Sequence, residues 1–190
     1  HTTTYNYIQL HLMKIAITGK MCSGKSTLAK YICSLDQRFE VYSFGQKVKD
    51  VASDIFQMDP QQKDRTLLTS IGTKMREIDP NVWTKYLIQQ TNKTDFCIVD
   101  DLRYQNEYEY LVQNDFKIIQ LHVSPELQEQ RIKQIYPQNY QDHLDNRNHS
   151  SELNTFQWLN NGPDLLIDSS LSVQMIQNII RDFIKQNTSA

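Results

Sequence analysis

Cysteine and glycine are scarce in this chain, and long apolar runs are missing. The 190 residues include three cysteines, Cys22, Cys33 and Cys97, which are odd in number and lack the spacing of metal ligands. This favours reduced thiols and a cytoplasmic location. No apolar run approaches the length that crosses a membrane, and no signal-peptide pattern opens the chain. The net charge of −2, with acids and bases interspersed, argues against a general attraction to nucleic acid or to membranes.

The order of apolar segments predicts an α/β fold. Short runs rich in β-branched residues are followed by helical periodicity or turn residues, which is typical of a parallel sheet covered by helices on both faces. The length of the chain fits one domain. The predicted strands are 13–18, 41–44, 96–100, 117–123 and 164–168. A final helix over 171–185 places Ile176, Ile180 and Phe183 on one core-facing stripe.

Two segments interrupt the alternation. Residues 45–92 hold about three helices, far more than the dozen or so residues of a minimal crossover, and residues 136–150 lose apolar periodicity. We expect a helical arm and a mobile polar lid that exclude water from two substrates. Residues 1–12 precede a plausible start at Met13 and are expected to lie outside the catalytic unit, as an extension or tag; an edge strand is the alternative. The segments assigned to the core are 13–44, 93–135 and 151–190.

The stretch GKMCSGKST, residues 19–27, carries the strongest motif. Gly19, Gly24, Lys25 and Ser26 satisfy the P-loop pattern G-x-x-x-x-G-K-[ST], between a β-branched strand and an amphipathic helix. Backbone N–H groups of such a loop turn towards phosphates, and the helix that follows adds the positive end of its dipole. A chance match in a glycine-lysine turn would rarely have both flanks.

Each polar residue of the loop has an expected role. Lys25 neutralises the β- and γ-phosphates of ATP, Ser26 ligates Mg²⁺, and Thr27 contacts the α-phosphate. The residues assigned to ATP are Gly19, Lys20, Ser23, Gly24, Lys25, Ser26 and Thr27.

A GTPase is a weaker interpretation of the same loop. Residues 92–95 spell NKTD, which matches the guanine-reading pattern N-K-x-D. In this chain the match follows a helical stretch and precedes a strand, whereas a GTPase needs it after a buried strand. The D-x-x-G pattern is also missing after the third strand, so the context argues against a nucleotide switch.

A helix predicted over residues 61–77 provides candidates for an acceptor site. Arg65, Thr69, Gly72 and Arg76 share one stripe of it. Two guanidinium groups suit a monophosphate, because each can bind two oxygens, and Gly72 between them would let a ligand come close. Solvated surface arginines are the alternative. The residues expected to face the protein are Leu67, Leu68, Ile71 and Met75.

Carboxylates follow the third predicted strand in the sequence DDLR. In a parallel sheet this end of the strand faces the ligand crevice, so Asp100 or Asp101 could hold a magnesium-bound water or orient the attacking oxygen. Arg103 could neutralise the group in transfer. The alternative is that one of the two aspartates caps the next helix. Trp83 either stacks on a base or anchors its own helix.

Together these stretches resemble a known family. GKMCSGKST, KDRTLLTSIGTKMREIDPNVW, DDLRYQNEYEYL and HSSE are similar to motifs of the deoxynucleoside monophosphate kinases of large DNA bacteriophages and eukaryotic DNA viruses. The resemblance extends from about Met13 to Asp168, in the family's order. It implies the three-layer P-loop fold of nucleoside monophosphate kinases, with a helical arm and lid. It also implies phosphoryl transfer from ATP to a deoxynucleotide, in the host cytoplasm if the chain is viral.

The resemblance assigns roles residue by residue. It places Lys25 and Ser26 at ATP and Mg²⁺, and it places Arg103 and Asp101 in the D-x-R-x-x-N-E stretch beside the acceptor. Ser26 stands where phage members often have aspartate, and serine is the more usual Mg²⁺ ligand. Arg131 and Arg147 match less well, as arginines of the lid, and Arg131 is a candidate catalytic residue. The residues assigned to the acceptor are Arg65, Gly72, Arg76, Trp83, Asp101, Asn106, Glu107, His149 and Glu152.

The reaction expected is in-line transfer without a covalent enzyme intermediate, which would supply precursors for DNA synthesis. The expected partners are small nucleotides, with no nucleic acid and no membrane, and a homodimer is left open. The rivals are a kinase of another small acceptor, of the phosphomevalonate or dephospho-coenzyme A type, and a nucleotide switch. A kinase of nucleic-acid ends would need a basic groove with aromatics, which the near-neutral charge argues against.

Overall fold

The computed structural model describes residues 12–153 and 155–188, without the side chain of Ser151. The prediction that residues 1–12 form an extension, tag or edge strand therefore lies, for residues 1–11, outside the described part. Everything below concerns the described residues.

Five strands form one parallel sheet, in the order β2-β3-β1-β4-β5. The P-loop strand is central, between the strand that ends in Asp100–Leu102 and β4. This confirms the predicted α/β fold with a five-stranded parallel sheet. The strands are β1 Met13–Gly19, β2 Glu40–Tyr42, β3 Phe96–Leu102, β4 Phe116–His122 and β5 Leu165–Asp168.

Eight α-helices accompany the sheet, and three of them form the arm between β2 and β3. Two short 3₁₀ turns, Asn146–Asn148 and Ser150–Glu152, follow α7. The helices are α1 Lys25–Leu35, α2 Phe44–Phe56, α3 Arg65–Ile78, α4 Val82–Thr91, α5 Gln105–Gln113, α6 Pro125–Ile135, α7 Tyr140–Asp145 and α8 Val173–Thr188.

Alternation along β1 divides the interior into two cores, one on each face of the sheet. Ala16 packs with the arm helices and α5 on one face, while Ile15 and Ile17 pack with α1 and α8 on the other. The stripe predicted on the last helix lies in this second core, where Ile180 and Phe183 are buried. Helices on both faces give three layers, and the carboxyl ends of the central strands lie exposed between them.

The predicted second strand extends two residues too far. Residues 41–44 were expected as strand, but β2 ends at Tyr42 and α2 begins at Phe44. Ser43 ends the extended backbone because its hydroxyl accepts the N–H of Gln46 at 3.1 Å, as a helix N-cap does. Phe44 then turns into the core and is only 6% exposed.

The arm helix α3 begins later than predicted and buries its glycine. Asp64 caps it by accepting the N–H of Leu67 at 3.0 Å. Gly72 is buried, and its carbonyl accepts the indole N–H of Trp83 at 3.2 Å. A Cβ at Gly72 would also lie 3.3 Å from the Arg76 guanidinium. The glycine therefore serves helix packing here, and the approach of a ligand at Gly72 stays a prediction.

The segment predicted as a polar lid has more order than expected. Residues 140–145 form α7, and His143 within it is 2% exposed, with its ring centroid 4.1 Å from that of Tyr136. The guanidinium of Arg147 donates to the carbonyl of Leu144 at 3.4 Å. The segment lacks apolar periodicity because the short helix α7 buries the imidazole of His143 and not a stripe of aliphatic side chains.

We expect Trp83 to act as an anchor of the arm. Replacing Trp83 by Ala should lower the free energy of unfolding by about 3–5 kcal/mol, as for other buried aromatic truncations. Ile78→Ala, at a position that is 86% exposed, should change it by less than about 0.5 kcal/mol. Urea denaturation measures both. A Trp83→Ala variant of normal stability but with a raised KM for the acceptor would support base stacking instead.

Candidate active site

A β-bulge at the end of β3 sets the position of two carboxylates. Ala16 of β1 pairs with Val99 and Thr18 pairs with Leu102, so Ile17 faces two residues, Asp100 and Asp101. An extra residue of this kind bends a strand and redirects its side chains. At this bulge, Asp100 and Asp101 both lie at the ligand-facing edge of the sheet and line one cleft with Lys25.

Asp101 caps helix α2. Its carboxylate accepts the N–H of Phe44 at 2.9 Å and that of Gly45 at 3.0 Å. These donors have no partner within the helix, and the helix dipole favours a negative charge there. Burial raises the pKa of this carboxyl. Asp101 caps α2 and also lines, together with Asp100 and Lys25, a cleft beside the P-loop, so its catalytic and substrate-binding role stays a prediction.

The P-loop adopts its shape through two residues with left-handed backbone. Gly24 has φ +98° and Cys22 has φ +61°. Gly19 is required for a different reason, since a Cβ there would lie 2.9 Å from the carbonyl of Leu121 and would collide with the Ser23 hydroxyl. The three residues let the loop curve back on itself before α1 begins.

Lys25 spans the mouth of this loop. Its Nζ donates to the carbonyls of Gly19 at 2.7 Å and Lys20 at 3.0 Å. Burial, followed by the nearby charge of Arg103, lowers the pKa of Lys25 to about 8. The ammonium group is therefore held at the loop and is poorly solvated, which strengthens its attraction to an incoming phosphate.

Side chains from outside the loop hold its carbonyls. Arg131 on α6 donates to the carbonyl of Cys22 at 2.9 Å and to the hydroxyl and carbonyl of Ser169 at 2.6 and 2.8 Å. Ser169 donates to the carbonyl of Ser23 at 2.6 Å, and the amide of Gln128 donates to that of Met21 at 3.0 Å. Arg131 therefore positions the loop in this structure, and because it also lines a cleft with Lys25 and Thr27, its catalytic role stays a prediction.

Glu152, from the HSSE element, reaches the opposite side of the loop. Its carboxylate accepts the N–H of Met21 at 2.8 Å and lies 3.5 Å from the guanidinium of Arg103. The side chain of Arg103 is 43% exposed and remains beside the P-loop, as predicted from DDLR. His149 is exposed, three residues before Glu152. The structure thus brings Lys25, Arg103 and Glu152 together.

The remaining residues of the D-x-R-x-x-N-E stretch build the start of α5. Glu107 is 4% exposed and accepts the N–H groups of Arg103 at 2.9 Å and Tyr104 at 3.1 Å. Burial raises its pKa to about 7. Asn106 donates to the side chain of Asn81 at 2.9 Å, in the turn before α4. In this structure Glu107 is a helix cap and Asn106 a link to the arm, and their contacts with the acceptor stay predictions.

Two clefts open on either side of the P-loop. The first, the polar cleft, has a volume of about 770 Å³ and runs towards β2, α2 and α4. The second, the apolar cleft, has about 540 Å³ and runs between α1, α6 and α8. Both volumes are typical of small-molecule sites. The residues that line both clefts are Met21, Cys22, Lys25, Ser26 and Tyr136.

The predicted arginine stripe lies outside both clefts. Arg65 is exposed at the first turn of α3, and the guanidinium of Arg76 lies 5.5 Å from the ring centroid of Tyr104. Trp83 is 5% exposed, in the core behind α3. Among the described residues, the cations that line the two clefts come from other positions of the chain. The role of Arg65 and Arg76 as phosphate ligands stays a prediction.

Sequence reasoning missed several residues of the polar cleft. Lys47 and Lys49 of α2 and Tyr86 and Gln90 of α4 line it. Their signal was weak, because isolated lysines and glutamines on amphipathic helices are ordinary surface residues. The relevant observation is that the carboxylate of Asp101 caps the start of α2. This places the first turns of α2 beside the P-loop.

The residues present fit Mg²⁺. Ser26 is exposed at the start of α1, and the carboxylate of Asp100 lies in the same polar cleft as Lys25. Mg²⁺ is held in kinases by one or two protein oxygens with water and substrate phosphates. Within the described residues, no group of three or more His, Cys, Asp or Glu could hold a metal ion.

The guanine-reading interpretation of residues 92–95 is not supported by their position. The N–H of Met13, at the start of β1, donates to the carbonyl of Asp95 at 2.9 Å. The NKTD match therefore lies at the amino end of β1, whereas the P-loop follows its carboxyl end. Across residues 12–153 and 155–188, no helix has the length and apolarity needed to span a bilayer.

The profile of the AAA domain family matches residues 15–172 of the chain. The chain belongs to this AAA domain family. No curated protein sequence matches it. The matched range begins in the P-loop strand and ends just after β5, so it includes the polar cleft and the lid, while the α8 wall of the apolar cleft lies beyond it.

Solved structures similar to this AAA domain include several P-loop kinases. A sugar kinase from Janibacter sp. HTCC2649 has 12% identity and a TM-score of 0.58, with 94% of this chain and 99% of that chain covered. Shikimate kinase from Acinetobacter baumannii, in complex with shikimate, has 15% identity and a TM-score of 0.54, with 94% and 96% covered. Deoxyadenosine kinase from M. mycoides, with dCMP and dCDP bound, has 20% identity and a TM-score of 0.52, with 92% and 100% covered. The fold of this AAA domain is therefore that of the P-loop kinases.

We expect nucleotide binding to weaken as the pH rises through about 8. Below that pH the amino group of Lys25 is protonated and attracts phosphate. Above it, the amino group of the free protein must take up a proton before it can attract phosphate. Calorimetry of ADP binding at pH 7 and 9, in buffers of different ionisation enthalpy, measures the change. Lys25→Arg, which stays charged, should lack this pH dependence. An affinity of the native protein that is equal at both pH values would contradict the assignment.

We expect Arg131→Leu to weaken ATP binding without changing the affinity for the acceptor. Loss of the charged hydrogen bonds to Cys22 and Ser169 should raise the KM for ATP roughly tenfold, since each such bond contributes about 1.5–3 kcal/mol. Steady-state kinetics with each substrate varied in turn separates the two effects. A fall in kcat with an unchanged KM for ATP would support a catalytic role for Arg131.

Proposed function

We propose that this AAA domain is an ATP-dependent kinase of deoxynucleoside 5′-monophosphates. The observation that carries the proposal is the pair of clefts that meet at Lys25 and Ser26. One cleft would hold the donor and the other the acceptor, with the γ-phosphate at their junction. A nucleotide switch needs only one such cleft.

The apolar cleft suits the nucleoside of ATP. It lies beside the start of α1, where backbone N–H groups and the helix dipole attract phosphate. Its walls include Tyr31 of α1, Ile135 of α6 and Ile176 of α8. Apolar walls with few polar groups are typical of sites that take up a base.

The polar cleft suits an anionic nucleotide acceptor. Lys47, Lys49 and Arg103 line it together with the rings of Tyr42 and Tyr86. Cations of this kind can bind a monophosphate, and tyrosine rings can stack on a base. In this proposal Lys49 and Arg103 take over the phosphate contacts that the sequence assigned to Arg65 and Arg76. The partners are free nucleotides, without nucleic acid or a membrane.

The transfer would proceed in line. An oxygen of the acceptor monophosphate attacks the γ-phosphorus, a new O–P bond forms, and the bond to the β-phosphate oxygen breaks so that ADP leaves. Lys25 and Arg103 reduce the repulsion between two anions, and Ser26 and Asp100 would hold Mg²⁺, which neutralises the phosphates when bound. No general base is required because the acceptor oxygen is already ionised.

An acceptor panel tests the function. ADP release should be at least about a hundredfold faster with one or more deoxynucleoside monophosphates than without an acceptor. The panel includes ribonucleotides, shikimate, hexoses, phosphomevalonate and dephospho-coenzyme A, because similar folds act on shikimate and sugars. Turnover of one of these acceptors, with none for any deoxynucleotide, would overturn the proposal in favour of another small-acceptor kinase.

Arg103→Ala should reduce kcat by about three orders of magnitude, by analogy with arginine fingers. Lys74→Ala is the matched control, since Lys74 is 74% exposed on α3 and pairs only with Glu77 at 3.2 Å. The control should keep full turnover. Normal kcat in Arg103→Ala, with the fold intact by circular dichroism, would remove Arg103 from the mechanism.

A further inference from the structure

The far end of the apolar cleft offers almost no hydrogen-bonding groups. The hydroxyl of Tyr31 accepts from Arg181 at 3.0 Å, and Arg131 and Ser169 are bonded to each other and to the P-loop. A base that entered this end would meet mostly aliphatic side chains. The apolar residues that line the cleft are Leu28, Leu121, Ile135, Leu171, Val173 and Ile176.

Gln177 is the exception. It is partly buried on α8 and is the one polar side chain that this helix contributes to the lining of the apolar cleft. Within residues 12–153 and 155–188, its amide makes no hydrogen bond, whereas Gln174, one turn earlier, is exposed and donates to Asn178 at 3.0 Å. The amide of Gln177 is therefore available to a ligand.

The position of Gln177 relative to the phosphates indicates which part of a ligand it meets. The residues shared by the two clefts, such as Lys25 and Tyr136, mark the phosphate end of the apolar cleft. Gln177 lies outside the P-loop, on the α8 wall of the apolar cleft with Val173 and Ile176. If the donor lies as assigned under the proposed function, on which this inference rests, its base extends away from the shared residues and towards Gln177.

We propose that Gln177 reads the edge of the donor base and that the cleft accepts both adenine and guanine nucleotides. A glutamine amide offers an N–H donor and a carbonyl acceptor side by side, and it can present them in either order by turning over. In one order it complements N1 and the amino group of adenine. In the other it complements the carbonyl and N1–H of guanine. A single glutamine amide that can turn over, in an otherwise apolar site, therefore discriminates little between adenine and guanine.

A carboxylate at the same place removes this adaptability. Glutamate accepts hydrogen bonds but does not donate them when ionised. It matches the two adjacent donors of guanine, N1–H and the amino group, and it faces the unprotonated N1 of adenine. Gln177→Glu should therefore favour guanine, by about tenfold or more in the affinity ratio, since a bidentate pair is worth about 1–3 kcal/mol.

Calorimetric binding of ADP and GDP tests the inference without any turnover. The native protein should bind both within about tenfold of each other, and Gln177→Glu should shift the ratio towards GDP. Gln174→Glu places the same charge one turn away, outside the cleft, and should leave the ratio unchanged. Gln177→Leu should weaken both nucleotides about tenfold and make the ratio insensitive to the base. Thermal melting confirms that each variant is folded.

The outcomes separate this inference from the proposed function. Binding of both nucleotides with an unchanged ratio in Gln177→Glu would overturn the inference alone. Failure of the native protein to bind either nucleotide would overturn the inference together with the donor site. A shifted ratio in a protein that phosphorylates no deoxynucleotide would support Gln177 as the base reader and reject the proposed acceptor.

Discussion

The orientation of the P-loop peptide groups is the constraint on which the rest of the site depends. Carbonyls of Met21, Cys22 and Ser23 are held by Gln128, Arg131 and Ser169, all from outside the loop. A peptide whose carbonyl is fixed on one side presents its N–H to the other, so the braces orient the N–H groups of Cys22 and Gly24, while the N–H of Ser23 donates to the carbonyl of Lys20 at 3.1 Å. Anion binding by such oriented N–H groups is then a property of the backbone, which Lys25 supplements with charge.

The capped first turns of two helices hold the proposed substrate sites at the same edge of the sheet. Asp101 caps α2, Glu107 caps α5, and both carboxylates accept two backbone N–H groups. Because α2 carries Lys47 and Lys49, the cap positions part of the proposed acceptor site relative to Lys25. Some charged residues of the sequence motifs are thus placed to contact ligands. Others support the helices that carry the ligand-contacting residues.

The sequence predicted the fold well because the strands are short apolar runs and the P-loop has a strict local pattern. It predicted Lys25, Ser26 and Arg103 at one site for the same reason. That both adjacent aspartates line the polar cleft while Asp101 also caps α2 depends on a β-bulge against β1 and on a helix start that is 57 residues away. The partners of Arg131, Cys22 and Ser169, are 109 and 38 residues away in sequence, and no local pattern encodes them.

The central claim is that two substrates meet across one P-loop. It is tested most directly by the inhibition pattern of a bisubstrate analogue, in which adenosine and a deoxynucleoside are joined by five phosphates. The account predicts one molecule bound per chain, with competition against both ATP and the deoxynucleoside monophosphate and an affinity far above that of ADP. Competition against ATP alone, with the affinity of ADP, would contradict it.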